Sequence, residues 1–472
     1  MTMDKVITNN EPVYEEQIET NKSVYENENI TFKEKFAYGL GDGATAFAAI
    51  SVASFSMYYF TDYIGVSASI LGAILFFSRF FDAATNVLMG FLVDKTKSKH
   101  GKARPWILWT IIPFALTLVL SFTIPTGWGD TATLIYIAII VNVYFLMYTA
   151  SNIPYGTLGS LVSRSQTVRG DMNVLRMLSY FVMSIILGAV TIPLVEFFGG
   201  ETISWTYVMI IYAILMSLMF LFTFRNTKER VVQVSTEAVE TEKLSLGKSL
   251  KLVLTNKYWI ILFFVILFAW SLLFMLNSVN VYYAEYILGE ANYVGALNAY
   301  FTGGLIAGFL IISLLMRKIG RRTTIIIGLV VLIISSMVML FDTTSLLLIG
   351  MSSVIRGLGF APIMGTAYAM LADVIDYGEW KNGVRNEGLT FAGGTFATTV
   401  GTGLASGGVG LFLGANGYIG SEDVQPAAVY DAITGLFITT PAILGVLLLI
   451  LFYFYNLDTF YKDIVRDIKN RA

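Results

Sequence analysis

The chain has 472 residues, of which 56% are hydrophobic and only 14% are charged, and its formal net charge at pH 7 is −2. Soluble proteins carry about a quarter charged residues, so this composition excludes an ordinary soluble domain and indicates a membrane protein. The chain has no cysteine and one histidine, which excludes disulfides, thiol catalysis and a zinc cluster built from these side chains. Nucleic-acid binding is not expected, because the basic residues follow the membrane topology described below.

Twelve apolar stretches of roughly 20 residues follow one another along the chain, and each is long enough to cross about 30 Å of hydrocarbon. We place spans 1 to 12 at 37–60, 67–93, 105–125, 131–154, 172–196, 202–224, 258–284, 293–316, 323–341, 345–372, 388–413 and 431–455. The longest polar connection separates spans 6 and 7. The predicted fold class is therefore an all-α membrane protein with two six-helix bundles, the plan of a major-facilitator transporter.

This division predicts five segments of the chain. They are a polar tail over 1–35, a first bundle over 36–224, a linker over 225–257, a second bundle over 258–456 and a tail over 457–472. The first tail carries eight acidic residues and no apolar core, so we predict neither a signal peptide nor an ordered structure there.

The positive charges are distributed unevenly between the two sides of the predicted bundles. Of the 31 Lys and Arg residues, 28 lie in the two tails, the linker and the loops after spans 2, 4, 8 and 10, whereas the loops after odd-numbered spans have none. By the positive-inside rule, both termini are predicted to be cytoplasmic and the protein to lie in the cytoplasmic membrane.

Five charged residues fall at depth within the predicted spans: Asp42, Arg79, Asp82, Arg176 and Arg356. A charge at the centre of a membrane helix costs about 2.5–3.5 kcal/mol, so such residues usually face a cavity or a partner. Arg79 and Asp82 are three residues apart and share a helix face. They are compatible with an ion pair that fixes span 2, or with a site for a proton or cation.

Polar side chains recur near these charges. In span 4, Tyr148, Asn152 and Tyr155 are at helical spacing, and we predict that Pro154 ends the regular helix. The Arg176 guanidinium suits either a gate that pairs with a carboxylate or a donor to a polyhydroxylated substrate. Any one such group is more often an interhelical hydrogen bond than a ligand contact. Together they indicate a polar cavity for a neutral or weakly charged solute.

Span 11 has a dense run of glycines, which is compatible with helix sliding and with static close packing. The run consists of Gly393, Gly394, Gly401, Gly403, Gly407, Gly408 and Gly410.

Four segments make the chain resemble a known family: Tyr38-Gly-Leu-Gly-Asp42, Arg79-Phe-Phe-Asp82-Ala-Ala-Thr-Asn86, Asn152-Ile-Pro-Tyr-Gly156 and Asp373-Val-Ile-Asp376-Tyr-Gly-Glu379. They resemble the glycoside–pentoside–hexuronide:cation symporter family, which includes the melibiose carrier. The resemblance covers all twelve spans. The form of span 1 is similar to that of xyloside- and glucuronide-type members.

The resemblance implies a site that is partly kept and partly changed. Asp82 matches the first carboxylate of the family's cation site, and the retained neighbours of the sugar site are Tyr148, Arg176 and Thr395. Other positions differ: Asn86, Asn152 and Thr399 stand where charged residues surround the cation, and Ala46 and Met364 stand where an aspartate and a tryptophan contact the sugar. Asp42 lies one turn before Ala46.

The resemblance therefore predicts a secondary transporter of a sugar or glycoside that works by alternating access. With one carboxylate left at the cation site, we favour coupling to a proton over sodium, while uncoupled facilitation or exchange stays open. A lysolipid-type carrier is a further alternative. A membrane enzyme or a channel is not expected, because the sequence shows neither a catalytic constellation nor a filter-like repeat. We expect no cofactor and no fused phosphotransferase-like domain.

The candidate site residues form three groups. The cation-coupling group is Arg79, Asp82 and Asn86. The substrate-binding group is Asp42, Tyr148, Asn152, Arg176, Asn277, Asn280 and Thr395. The gating group on the cytoplasmic side is Asp94, Arg104, Asp373, Asp376 and Arg385.

Overall fold

The computed structural model describes residues 30–125, 127–163, 166–230, 246–383, 387–420, 422 and 424–471. All regular secondary structure in these residues is helical. Eleven of the helices are long and apolar enough to cross a membrane, as judged by length and composition. The prediction of an all-α, multi-pass membrane fold is therefore confirmed.

The observed helices follow the predicted spans in order. Span 1 comprises Phe32–Ile50 and two π turns, Ser51–Ser56 and Tyr59–Tyr63; spans 2 to 6 are Ala68–Lys95, Arg104–Ser121, Asp130–Val162, Gln166–Phe197 and Thr202–Asn226. Spans 7 to 11 are Lys257–Tyr282 with a π turn at Tyr283–Ile287, Tyr293–Ile319, Arg321–Val338, Leu346–Asn382 and Glu387–Ala415; span 12 runs through Ala427–Thr434, a π turn at Gly435–Thr439, and Thr440–Phe454. Short helices at Leu246–Leu254 and Tyr461–Arg471 precede span 7 and follow span 12.

Span 1 is not among the eleven helices that meet the length and composition criteria. Its helix begins after Thr31, whose side chain accepts a hydrogen bond from the Glu34 amide, and it is interrupted by the two π turns. Small residues allow it to pack closely, because a Cβ at Gly39 would come within 2.9 Å of the backbone of Leu175 in span 5. Span 1 is therefore buried mainly against protein.

Pro154 does not end the helix of span 4, and that prediction was wrong. The helix continues from Asp130 to Val162 with Pro154 inside it. Proline removes one backbone donor, but membrane helices tolerate this loss because neighbouring helices and hydroxyl side chains satisfy the freed groups. The Tyr155 and Gly156 positions therefore remain in regular helix.

The two bundles meet along helix pairs from opposite halves of the chain. We call the side where span 1 begins and span 12 ends the termini face, and the other side the opposite face. In the half toward the opposite face, span 2 packs on span 11 so closely that a Cβ at Gly72 would be 2.6 Å from the Gly407 carbonyl oxygen. Spans 5 and 8 meet similarly, since a Cβ at Gly295 would be 2.4 Å from the Ala189 Cα.

Hydrogen bonds between the bundles also lie toward the opposite face. Ser278 in span 7 donates to the Ala53 carbonyl at 3.0 Å, and the hydroxyls of Thr61 and Tyr282 are 3.0 Å apart. Together with the close helix pairs, these bonds hold the bundles shut on this side.

At the termini face, ionic contacts tie the chain segments to their own bundles. Glu34 accepts two hydrogen bonds from Arg230 at 2.6 and 2.8 Å, and the Glu229 carboxylate accepts from the backbone amides of Lys102, Ala103 and Arg104. The start of the predicted linker is thus fixed to the first bundle. Most of the remaining linker, 231–245, and the tail residues 1–29 lie outside the described residues.

Candidate functional site

The predicted cation-coupling group forms a buried cluster between spans 2 and 4. The Thr149 hydroxyl donates to Asp82 Oδ1 at 2.9 Å and lies 3.3 Å from Asn86 Oδ1. Arg79 Nη1 is 3.5 Å from the other carboxylate oxygen, Asp82 Oδ2. Asp82 is 6% exposed, so its charge is held by one guanidinium and one hydroxyl in a largely dry environment. Thr149 is a member of this cluster that the sequence analysis missed.

Arg79 connects this cluster to the second bundle. Its guanidinium carbon lies 4.2 Å from the centre of the Phe145 ring, and its side-chain stem packs on Gly403 of span 11, where a Cβ would be 2.9 Å from Arg79 Cγ. Thr399, which the family resemblance places near the cation site, is one helical turn before Gly403. The Asp82 cluster therefore lies beside the contact between the two bundles.

A second ion pair joins spans 1 and 5. Arg176 Nε donates to Asp42 Oδ2 at 2.9 Å, and the side chains are 29% and 14% exposed, respectively. The guanidinium carbon is 5.1 Å from the centre of the Tyr155 ring, and the Tyr155 hydroxyl donates to the Tyr38 carbonyl at 2.6 Å. The predicted pairing of Arg176 with a carboxylate is thus present, and the contact uses one of the five N–H donors of the guanidinium.

Span 4 carries polar groups between the two ion pairs. The Tyr148 hydroxyl lies in the neighbourhood of both ion pairs. Asn152 Nδ2 is 3.4 Å from the Tyr148 hydroxyl, and its buried Oδ1 has no partner among the described residues. An unpartnered buried acceptor beside a phenol is suited to bind a hydroxylated solute.

The second bundle contributes a smaller polar and aromatic group. The hydroxyls of Tyr368 in span 10 and Thr398 in span 11 are 3.0 Å apart, and the Tyr368 ring packs edge-on against Trp270 at 5.6 Å. Thr395 is exposed one turn before Thr399. The sequence analysis missed Tyr368, although it lies one turn after Met364, the position matched to a sugar-site tryptophan.

The two asparagines of span 7 are engaged within the second bundle. Asn280 is buried and donates to Asn298 Oδ1 of span 8 at 2.5 Å. Asn277 is half-buried and donates to the Leu273 carbonyl of its own helix at 2.9 Å. Both side chains therefore have hydrogen-bond partners inside the protein.

The predicted gating residues are separated by bundle. Arg104 donates to the Phe224 carbonyl at 2.8 Å in the first bundle. In the second, Arg321 bridges Asp373 and Asp458, and Asp376 accepts from the Tyr461 hydroxyl at 2.5 Å. Burial and the adjacent Asp376 carboxylate raise the pKa of the Tyr461 phenol. The Asp94 side chain and Arg385 lie outside the part of the chain that is described.

A family profile described as MFS/sugar transport protein matches residues 37–459. The isoprimeverose transporter of Lactiplantibacillus pentosus is 30% identical over 458 residues, which cover 95% of this chain and 94% of that protein. The inner membrane symporter YicJ of Escherichia coli (strain K12) is 30% identical over 421 residues, covering 88% of this chain and 89% of that protein.

A solved structure has the same architecture. The crystal structure of a D-xylose-proton symporter superposes with a TM-score of 0.68 over 91% of this chain and 99% of that chain. The sequences are 13% identical, so the likeness concerns the fold. It agrees with the two six-helix bundles predicted from the sequence.

Proposed function

We propose that this chain, which belongs to the MFS/sugar transport protein family, moves a sugar or glycoside across the membrane by alternating access. The family and its relatives are transporters, which favours transport over catalysis. The observation that carries the proposal is the set of polar groups along spans 1, 4 and 5, where Asp42, Arg176 and Asn152 offer charged and neutral hydrogen-bonding atoms around Tyr148.

The chemistry of these groups favours a hydroxylated substrate. Amide and carboxylate oxygens accept hydrogen bonds from sugar hydroxyls, and a guanidinium donates to them. Aromatic rings such as Trp270 and Tyr368 suit the C–H faces of a pyranose. A lysolipid needs an apolar cavity, so the polar lining and the sugar-transporting relatives do not favour that alternative.

We propose that Asp82 couples transport to a cation, with a proton favoured over sodium. A single carboxylate is sufficient to carry a proton, whereas a sodium ion needs several oxygen ligands, and the oxygens described beside the Asp82 carboxylate are the Thr149 hydroxyl and the Asn86 amide oxygen. Its partner Arg79 contacts span 11, so a relative movement of the bundles changes the surroundings of Asp82. Coupling requires this dependence of ion occupancy on conformation.

We also propose that the termini face is cytoplasmic, from the distribution of Lys and Arg. The bundles are in contact toward the opposite face, and Arg176 and Thr395 are accessible to solvent. The described arrangement then corresponds to an inward-facing state of a transporter in the cell membrane.

The experiment is uptake into proteoliposomes that contain the purified chain. A panel of labelled xylose, isoprimeverose, other xylosides and glucuronides is tested with imposed proton or sodium gradients. We expect accumulation of at least one saccharide that is driven by the proton gradient. Failure to move any saccharide of the panel under either gradient would contradict the proposed substrate class.

Asp82→Asn tests coupling in the same vesicles. We expect the ratio of internal to external sugar to fall to about one, while exchange of labelled for unlabelled sugar continues, because the site no longer binds the driving ion. Asp130→Asn, at an exposed position, is the matched control and should retain accumulation. If Asp82→Asn leaves the Arg79 charge unpaired and the protein does not fold, the double variant Arg79→Gln/Asp82→Asn, which removes both charges, is used instead. Unchanged accumulation would remove Asp82 from the coupling role.

A further inference from the structure

One carboxylate of the first bundle is surrounded by hydroxyl groups at the opposite face. Asp62 lies in the last turn of span 1. Its Oδ1 accepts hydrogen bonds from the hydroxyls of Tyr286 at 2.6 Å and Tyr418 at 2.7 Å. Its Oδ2 accepts from the Thr61 hydroxyl at 2.6 Å and shares the single Tyr418 O–H, 2.7 Å away, with Oδ1. Tyr286 lies in the π turn that ends span 7, and Tyr418 lies between spans 11 and 12, so two of the three donors belong to the second bundle.

Aromatic packing holds these donors in place. The Tyr418 ring packs edge-on against the rings of Tyr282 at 5.4 Å and Tyr286 at 5.7 Å, and the Tyr282 hydroxyl is 3.0 Å from that of Thr61. We call the group Thr61, Asp62, Tyr282, Tyr286 and Tyr418 the outer latch. Its three tyrosine hydroxyls reach the first bundle from two separate elements of the second, the end of span 7 and the connection between spans 11 and 12.

The connection that carries Tyr418 must approach span 1 closely. A Cβ at Gly420 would be 2.1 Å from the Thr61 carbonyl oxygen, so only glycine allows this backbone contact. A cavity of about 320 Å³ lies beside the latch and is lined in part by Glu285, Glu422 and Tyr430. Water in this cavity would replace the tyrosine hydroxyls when the bundles separate.

The Asp62 carboxylate has different hydrogen-bond partners from the Asp82 carboxylate at the bundle interface. Asp82 is paired with an arginine of its own helix, whereas the bonds described for Asp62 come from neutral hydroxyls. A carboxylate removed from water depends on such donors, and each hydrogen bond to a charged group changes an equilibrium by about tenfold or more. Separating the bundles breaks the Tyr286 and Tyr418 bonds together.

We propose that Asp62 is a positioning residue of the transport cycle: through the outer latch it holds the opposite face shut and sets how often that face opens. This inference rests on the alternating-access function proposed above. Asp62 is not among the groups proposed above to bind the substrate, so the latch acts on the balance between the two states of the transporter rather than on sugar binding.

The natural chain contains no cysteine, which allows a direct test with single reporter cysteines. Ser278→Cys and Met57→Cys are introduced separately, because both positions are buried between the bundles near the latch. The rate of reaction with a membrane-impermeant maleimide is measured in whole cells and in inverted vesicles. Adding Asp62→Ala is expected to speed labelling from the opposite face by about tenfold or more.

Two further variants distinguish loss of the latch hydrogen bonds from misfolding and from the loss of any carboxylate at this face. Tyr418→Phe keeps the ring and removes only the hydroxyl, so it should also speed labelling even if Asp62→Ala does not fold. Asp342→Ala removes a carboxylate at the same face whose hydrogen bonds come from Thr344 and Ser345 in its own loop, and it should leave labelling unchanged. Hydrogen bonds from Thr344 lower the pKa of Asp342, so this control also removes a stabilised charge.

The outcomes distinguish the latch from the proposed function. Faster labelling in the Asp62 and Tyr418 variants supports the latch even if no sugar is transported, because labelling needs no substrate. The same increase in inverted vesicles instead of cells supports the latch with the orientation reversed. Unchanged labelling of both reporters in Tyr418→Phe and in folded Asp62→Ala overturns it, as does an equal increase in Asp342→Ala.

Discussion

The two intramembrane ion pairs of the first bundle differ in geometry. Arg79 and Asp82 lie on one helix, 3.5 Å apart, with side chains 16% and 9% exposed. Arg176 and Asp42 join two helices at 2.9 Å and are 29% and 14% exposed. Arg176 is thus the more exposed of the two arginines, and Asp82 is the less exposed of the two carboxylates. This difference fits the proposed mechanism, in which Arg176 binds the substrate and Asp82 couples the ion.

Arg176→Ala is expected to raise the KM for sugar uptake by about 10- to 100-fold, because hydrogen bonds to a charged group contribute about 1.5–3 kcal/mol. Uptake is measured in proteoliposomes over a range of sugar concentrations, with direct binding as a second readout. Lys35→Ala is the matched control, since Lys35 pairs with Asp171 between the same two spans at the termini face, 2.6 Å away. Unaltered affinity in Arg176→Ala would make the arginine a gate or a packing element.

The glycines of span 11 do not share one function. Gly403, Gly407 and Gly410 allow contact with span 2 of the other bundle, whereas Gly393 and Gly401 pack on Trp259 and Leu267 of span 7. A Cβ at Gly408 would meet no atom within 4 Å. At these positions span 11 presents its backbone to span 2, which lets the two helices approach closely.

Gly407→Val is expected to disfavour the closed opposite face, because a Cβ there would be 2.6 Å from that of Phe76 and overpacking costs about 1–3 kcal/mol. The maximal uptake rate should fall, and the Ser278→Cys reporter should label faster. Gly408→Val adds the same side chain one residue away in open space and should retain the wild-type rate. Equal effects of both substitutions would show that the contact between spans 2 and 11 does not govern closure.

At the scale of the whole molecule, hydrophobic length predicts the order of the helices and the ends of some of them. Span 6 was predicted at 202–224 and is observed at Thr202–Asn226, whereas span 10 was predicted at 345–372 and continues to Asn382. Apolar composition reports the hydrocarbon thickness, while Asp373, Asp376 and Trp380 extend the helix into the polar region through contacts with other segments.

The contacts between distant residues could be predicted only in part. The spacing of Arg79 and Asp82 on one helix fixed their proximity, and a carboxylate partner for Arg176 was one of two predicted roles. That the partner is Asp42, 134 residues away, depends on tertiary packing. The sequence does not predict the hydrogen-bonded group around Asp62, because tyrosines near a membrane surface are expected in any multi-pass protein.

The two bundles must separate at the opposite face if the molecule transports by alternating access, so a covalent link across that face should stop it. Glu196 ends span 5 and accepts hydrogen bonds from Asn292, just before span 8, at 3.0 and 3.1 Å. In the cysteine-free chain, we expect Glu196→Cys/Asn292→Cys joined by a short, reducible thiol cross-linker to lose net uptake, and a reductant to restore it. Thr123→Cys/Thr206→Cys, whose parent hydroxyls are 3.0 Å apart within the first bundle, is the matched control and should transport normally when linked. Normal uptake by the fully linked Glu196–Asn292 variant would show that substrate crosses without separation of the bundles at this face.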